Sequence, residues 1–284
     1  LFRVAGPAVL SGGVIQINLL VGRQVASYYE GGIAWLSYAD RVYQLPLGVV
    51  GIAIGIVLLP NLAKKLANND NAGGQNSFNR SLEFSLIIAL PSAIALIVMS
   101  NVIISALFER GAFSSLDTLK TAAALSIYGI GLPAFIGQKI YQPIFYAREN
   151  TRSPFYFALI AMAVNLTLAV SLAQTFGYLA SALGTTIASW TMLLLLKNSS
   201  KNYGPATQID SRNKRVIPRV VIASLIMGGL LLITNHLLST TFFDVRNKYV
   251  VLLIMMFVGG FSYILIGQLI GAFSFKEIKS YFKK

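Results

Sequence analysis

Asp40 and Arg41 stand together inside an apolar stretch, where charge is costly. They follow Ile33 to Ala39 and precede Val42 to Leu59, a run in which Gln44 is the only strongly polar side chain. Read as one helix from about Ile33 to Leu62, the segment carries Arg41 roughly 12 Å in from its start, at 1.5 Å per residue. A charge at that depth in a bilayer costs ~2.5–3.5 kcal/mol on insertion scales. Two readings are open: the pair neutralise each other near the headgroups, or Arg41 offers a cation to a cavity. A guanidinium stays charged, and its planar fork matches phosphate oxygens. Tyr38 lies one turn before Arg41, and Gln44 and Leu45 follow three and four residues after it. Helical spacing puts these groups on one face.

Other polar groups interrupt the apolar runs. Arg23 is either a second buried cation or a side chain that snorkels to the nearby span end. Lys139, with Gln138 and Gln142, puts polar atoms in the fourth span, and Gln138 and Gln142, four apart, form a polar stripe that is a candidate cavity lining. Gln16, Asn18, Asn165 and Thr167 are neutral groups of the kind that hydrogen-bond between helices. His236 is the sole histidine and sits at a span end, as interfacial residues do. There is no cysteine, the ten acidic residues are scattered, and no Walker loop occurs. No catalytic or metal site, no cofactor and no enzymatic activity are expected.

The elements that hold these groups are membrane spans. Of the 284 residues, 55% are hydrophobic and 12% charged, against about 25% charged in soluble domains. Apolar runs of about twenty residues recur along the chain. They predict an all-α polytopic membrane protein with about eight transmembrane helices, near 7–28, 33–62, 82–107, 119–146, 154–174, 178–197, 217–237 and 249–272. Pro46 with Gly48, Gly51 and Gly55, and Pro133 with Pro143, mark the second and fourth as bent or cavity-lining.

The net charge of +13 lies mostly in the loops. Alternate loops differ sharply: sixteen of the 23 Lys and Arg fall on one side, four on the other, and Arg23, Arg41 and Lys139 lie within spans. The positive-inside rule then places both termini in the cytoplasm. No stacking aromatics accompany basic strands, so nucleic acid is not an expected partner. The segments 64–80 and 198–216 have the composition of mobile linkers. The division expected is a six-helix lobe at 1–197, a cytoplasmic linker at 198–217, and a two-helix extension with a basic tail at 218–284. The opening is not a signal peptide, since its apolar run is too long and no cleavage site follows. The chain reads as if it begins inside something larger.

Four strings carry a family resemblance: Trp35-Leu36-Ser37-Tyr38-Ala39-Asp40-Arg41 running on to Leu58-Leu59-Pro60-Asn61-Leu62; Gly6-Pro7-Ala8-Val9-Leu10; Leu107-Phe108-Glu109-Arg110-Gly111-Ala112-Phe113; and Ala147-Arg148-Glu149-Asn150-Thr151-Arg152-Ser153-Pro154. In order and spacing they resemble the MurJ (MviN) lipid II flippase family. The resemblance implies the fold of the multidrug/oligosaccharidyl-lipid/polysaccharide exporter superfamily: two facing six-helix lobes and two further helices. This chain matches the second lobe and the extra pair, with the N-terminal lobe absent. It implies a substrate site at Arg41, with Asp40 matching the family pattern and Gln44 standing where a carboxylate is often found, and a family motif in Arg148, Glu149 and Arg152; the residues themselves add Tyr38, Gln138 and Lys139 to the expected substrate site. It implies that the final two helices shape a groove for the undecaprenyl tail. A sodium site of some members falls on Gly22, Asn165, Ala169 and Thr185. Both carboxylates are missing, so a residual ion site at Asn165 and Thr185 is expected to be empty or weak.

The function so implied is translocation of the undecaprenyl-diphosphate-linked peptidoglycan precursor across a bacterial inner membrane by alternating access. The implied partners are lipid II, membrane lipids and the missing lobe. Two alternatives stand beside it: another exporter of lipid-linked oligosaccharide or drugs, and a half-lobe membrane scaffold that transports nothing.

Overall fold

Capping chemistry and glycine punctuate the apolar runs and set where the helices begin and end. The computed structural model describes Leu20 and residues 22–53, 59–68, 70–204, 207–241 and 247–273. After a helical segment at 22–27, the helices are α1 (Gly32–Ala53), α2 (Leu59–Ala67), α3 (Asn71–Val98), α4 (Ser100–Phe108) and α5 (Ser115–Tyr146). They continue with α6 (Arg152–Ser171), α7 (Ala173–Phe176), α8 (Leu179–Ser200), a 3-10 turn (Lys201–Tyr203), α9 (Ser211–Thr241) and α10 (Lys248–Leu269). The described residues contain no strand. Among the described residues, six helices, α3, α5, α6, α8, α9 and α10, are long and apolar enough to cross a membrane. The chain is an all-α polytopic membrane protein. Most of the first expected span, with Gln16 and Asn18, lies outside the described residues.

α5 is the central helix and packs against α1, α3, α4 and α8. Ser114 and Asp117 form a capping box at its start, which satisfies two otherwise orphaned backbone donors. Small residues then let neighbours approach closely: an added Cβ at Gly137 would lie 2.8 Å from Leu193 Cδ1, and one at Gly129 3.0 Å from Ile97 Cγ1. Three side chains bond α5 to α8. Thr186 Oγ1 donates to Ile127 O (3.0 Å), Gln138 Nε2 to Ser189 O (2.8 Å), and Trp190 Nε1 to Ile130 O (3.1 Å). α1 is fixed at its start by Trp35, which donates to Asp117 Oδ1 (2.8 Å) and meets Tyr178 edge-on at 4.9 Å.

The segments expected to be mobile are largely helix ends. Of 64–80, only three residues separate α2 from α3. Asp70 caps α3 by accepting from Gly73 N (2.8 Å), and Lys65 donates to Gly73 O (3.2 Å) and Ser77 Oγ (2.8 Å). Asn and Gly lower helix propensity there, but burial of Gly74, Phe78 and Asn79 outweighs it. Of 198–216, α8 and the 3-10 turn occupy the start, and α9 begins at Ser211. α9 is tied to α3 by the buried Glu83, which accepts from Arg80 and, in bidentate fashion, from Arg212 Nε (3.1 Å) and Nη2 (2.7 Å). Arg80 also pairs with Asp210, and Asn79 bonds Gln208 O, Asp210 N and Asn213.

Two apolar cores result. One lies among α1, α3, α5 and α8; the other centres on α9 and α10, with Met99 between α3 and α4. Tyr263 on α10 donates to Ile87 O of α3 (2.7 Å), and Lys248 donates to Glu109 O.

Candidate functional site

One face of α1 builds a cavity of about 580 Å3 together with residues 22–26, α5 and α8. The α1 positions that line it are Ile33, Leu36, Ser37, Asp40, Tyr43, Gln44, Leu47, Gly48 and Gly51. This is the stripe of a 3.6-residue repeat. From Ile33 to Gly51 it extends about 27 Å along the helix, close to the thickness of a hydrocarbon core, about 30 Å. The other walls supply Arg23, Tyr128, Phe135, Lys139, Ser181 and Thr185. The lining is amphipathic: two cations and one carboxylate among hydroxyls, an amide, aromatic rings and aliphatic chains.

Asp40 accepts a hydrogen bond from Gln44 Nε2 and interacts electrostatically with Arg23. Tyr43 is buried against Tyr128 (5.6 Å between ring centres) and Phe135 (5.5 Å). Lys139 lies further along. Its stem rests where Gly51 leaves room, Cδ lying 3.5 Å from the position of an added Cβ.

The expected site residues divide. Asp40, Gln44 and Lys139 come together in the cavity, and Thr185 joins them. Arg41 is exposed and is not among the lining residues. At 100° per residue it falls about 20° beyond Gly48, the edge of the stripe. Tyr38 turns further away and packs on Phe108 (4.8 Å) and Phe113 (5.2 Å). The face expected to join Tyr38 with Gln44 is therefore split, because the Leu107–Phe113 string supplies an aromatic socket for Tyr38. Gln138 faces Ser189 of α8 and serves packing, although its neighbour Lys139 faces the cavity.

The Arg148–Arg152 string forms a joint. Arg148 Nη1 donates to Tyr203 O (2.9 Å), and its guanidinium lies 4.5 Å from the Tyr203 ring centre. Asn150 donates to the Tyr203 hydroxyl (2.6 Å) and accepts from Ser153 N (3.0 Å). Glu149 turns the chain with φ +57°, and Arg152 opens α6 as an exposed residue.

The residues considered for an ion site also separate. Thr185 lines the cavity and donates to Ser181 O (2.8 Å). Asn165 is buried between α6 and α8, where Gly184 makes room for its amide. Gly22 lies beside Arg23 on the cavity wall.

Tyr43, Tyr128 and Phe135 line the cavity without a charge or amide to mark them, and Arg23 lines it too. The signal for Tyr43 was its spacing, three residues after Asp40 and four before Leu47. Nothing local distinguishes Tyr128 or Phe135 from ordinary core residues.

A multi-helix membrane fold with an amphipathic cavity along a helix face defines the class of polytopic membrane proteins built like transporters. The model of the family described as "Lipid II flippase MurJ" matches residues 1–254. Two relatives, each described as a probable lipid II flippase MurJ, come from Rhizobium tropici and Rhizobium meliloti strain 1021. The first is 44% identical over 236 residues, 83% of this chain and 44% of that protein. The second is 45% identical over 234 residues, 81% of this chain and 43% of that protein. A solved structure described as lipid II flippase MurJ in an inward closed conformation superposes with TM-score 0.77 at 30% identity, covering 94% of this chain and 53% of that one. The chain belongs to the lipid II flippase MurJ family, and it spans about half the length of these relatives.

Proposed function

We propose that this chain forms part of a lipid II flippase in the bacterial inner membrane. It carries the undecaprenyl-diphosphate-linked precursor from the cytoplasmic to the periplasmic leaflet by alternating access. The observation that carries the reading is the α1 cavity: one polar, cation-bearing face that runs about 27 Å through an otherwise apolar lobe. A diphosphate in hydrocarbon would face a prohibitive desolvation cost. Arg23, Lys139 and Gln44 offer donors in its place, and no bond of the substrate is broken.

A facing lobe, of the kind that the other half of the relatives' length can supply, would complete the cavity. Arg41, exposed at the rim, then meets the headgroup from the lobe-facing side. The division into a six-helix lobe and a two-helix extension is supported by the two apolar cores. The apolar surfaces of α9 and α10 suit the isoprenoid tail. The charge bias of the loops favours cytoplasmic termini.

The test joins this chain to the first half of a full-length relative in cells depleted of their own flippase. The fusion restores growth; Arg41→Ala abolishes the rescue while the protein still inserts. Arg41→Lys rescues in part, because lysine lacks the bidentate fork. Full growth with Arg41→Ala would refute the role of Arg41, and no growth with a well-inserted fusion would refute the function.

A further inference from the structure

The short helix α4 touches both apolar cores. Its Ile104 is buried in the core shared by α1, α3, α5 and α8, Val102 packs against the core of α9 and α10, and Ile103 packs against both. Helix continuity breaks just before α4, at Met99 (φ −99°, ψ 8°). Ser126 of α5 braces the break, its Oγ lying 2.9 Å from Ser100 Oγ. The end of α4 and the turn after it make three further attachments. Phe108 and Phe113 hold the Tyr38 ring of α1. The Glu109 carboxylate accepts from Thr118 Oγ1 of α5 (2.7 Å), and the Glu109 backbone carbonyl accepts from Lys248 at the start of α10. α1 packs on α5 and α3, whereas α10 packs on α9 and α4. A route from Tyr38 to Lys248 thus runs through one short helix and its turn.

We propose that α4 and the 109–113 turn link α1 to α10, so that a displacement of the cavity helix is passed to the terminal helix pair. The parts suit a link. Aromatic contacts and a charge-assisted hydrogen bond resist separation at its two ends. The break at Met99 is an element end of the kind that absorbs a change of angle. On the reading that the cavity takes the headgroup and the α9–α10 surface takes the tail, the link makes the two ends of the cargo move in concert. The coupling itself does not depend on that reading.

The test is hydrogen exchange, read by mass spectrometry, on the purified chain in lipid nanodiscs. Tyr38→Ala is expected to speed exchange at residues 248–256 about threefold, while exchange in α6 is unchanged. Leu45→Ala, on the same helix but away from the turn, leaves 248–256 as in the wild type. Lys248→Met keeps the stem, loses the donor, and speeds exchange there about fivefold. Adding Tyr38→Ala to Lys248→Met brings no further increase, since the link is already cut. If Tyr38→Ala fails to fold, Tyr38→Leu carries the same expectation. Unchanged exchange at 248–256 in the folded Tyr38 variant overturns the proposal. So does equal acceleration in α6, which marks general loosening, and so does a double variant whose effects multiply. Non-multiplying effects, together with a fusion that cannot restore growth, would uphold the link and reject lipid II as the cargo.

Discussion

Asp40 lines the α1 cavity, and Arg41, the next residue, does not. One residue is 100° of helix, enough to put the acid among Gln44, Arg23 and Tyr43 and to leave the guanidinium exposed at the rim. Two adjacent charges in an apolar run thus do different work. One sets the electrostatics of the cavity; the other is positioned for whatever faces this lobe.

Glu83 holds the start of α9 against α3 and is 2% exposed. Glu83→Ala leaves Arg80 and Arg212 without their shared acceptor and is expected to cost about 2–3 kcal/mol. Limited proteolysis near 205–210 should accelerate in the variant. An unchanged thermal midpoint and cleavage rate would show that the network carries no load.

Glu149 adopts φ +57°, which is unfavourable for any residue with a Cβ. Glu149→Gly relieves that strain and is expected to stabilise by up to about 1 kcal/mol, offset in part by glycine's chain entropy. Growth rescue by the fusion should persist. Loss of rescue without loss of stability would give Glu149 a role in transport.

The fold was legible in the sequence where the signal was long-range and repetitive. Apolar runs located the spans, and Pro46 with its glycines marked the helix that lines the cavity. The stretch 64–80 has a linker's composition because Asn and Gly are turn-formers locally, while the burial of Phe78 and Asn79 that makes it helical depends on α5 and α9. Asp40, Gln44 and Lys139 were found as charge or amide in apolar context. Tyr43 and Phe135 were not, since an aromatic residue in a membrane helix has the same local signature in a core as in a cavity wall. The Arg148 string was recognised by its pattern, but only its contact with Tyr203, 55 residues on, reveals a joint.

Sodium is not expected to couple transport. None of Gly22, Asn165, Ala169 and Thr185 carries a carboxylate, and Arg23 shares the cavity wall with Thr185. At an effective dielectric near 20, a unit charge ~6 Å from a cation costs about 2.8 kcal/mol, roughly a hundredfold in affinity. Flippase activity of the fusion in vesicles should be unchanged when potassium replaces sodium at fixed potential, and should fall when the potential collapses. A steep sodium dependence lost on Asn165→Ala would contradict this.

The most direct measurement asks which face of α1 meets the substrate. Gly48 faces the cavity and has open space around it, while Val49 is 62% exposed and lies off the lining stripe. A photo-crosslinking residue is placed at each position in the growth-restoring fusion, and cells are irradiated while lipid II is radiolabelled in its sugar headgroup. The expected result is headgroup capture at position 48 and little or none at 49. Equal capture at both positions, or capture at 49 alone, would contradict passage of the headgroup along the Asp40–Gln44 face.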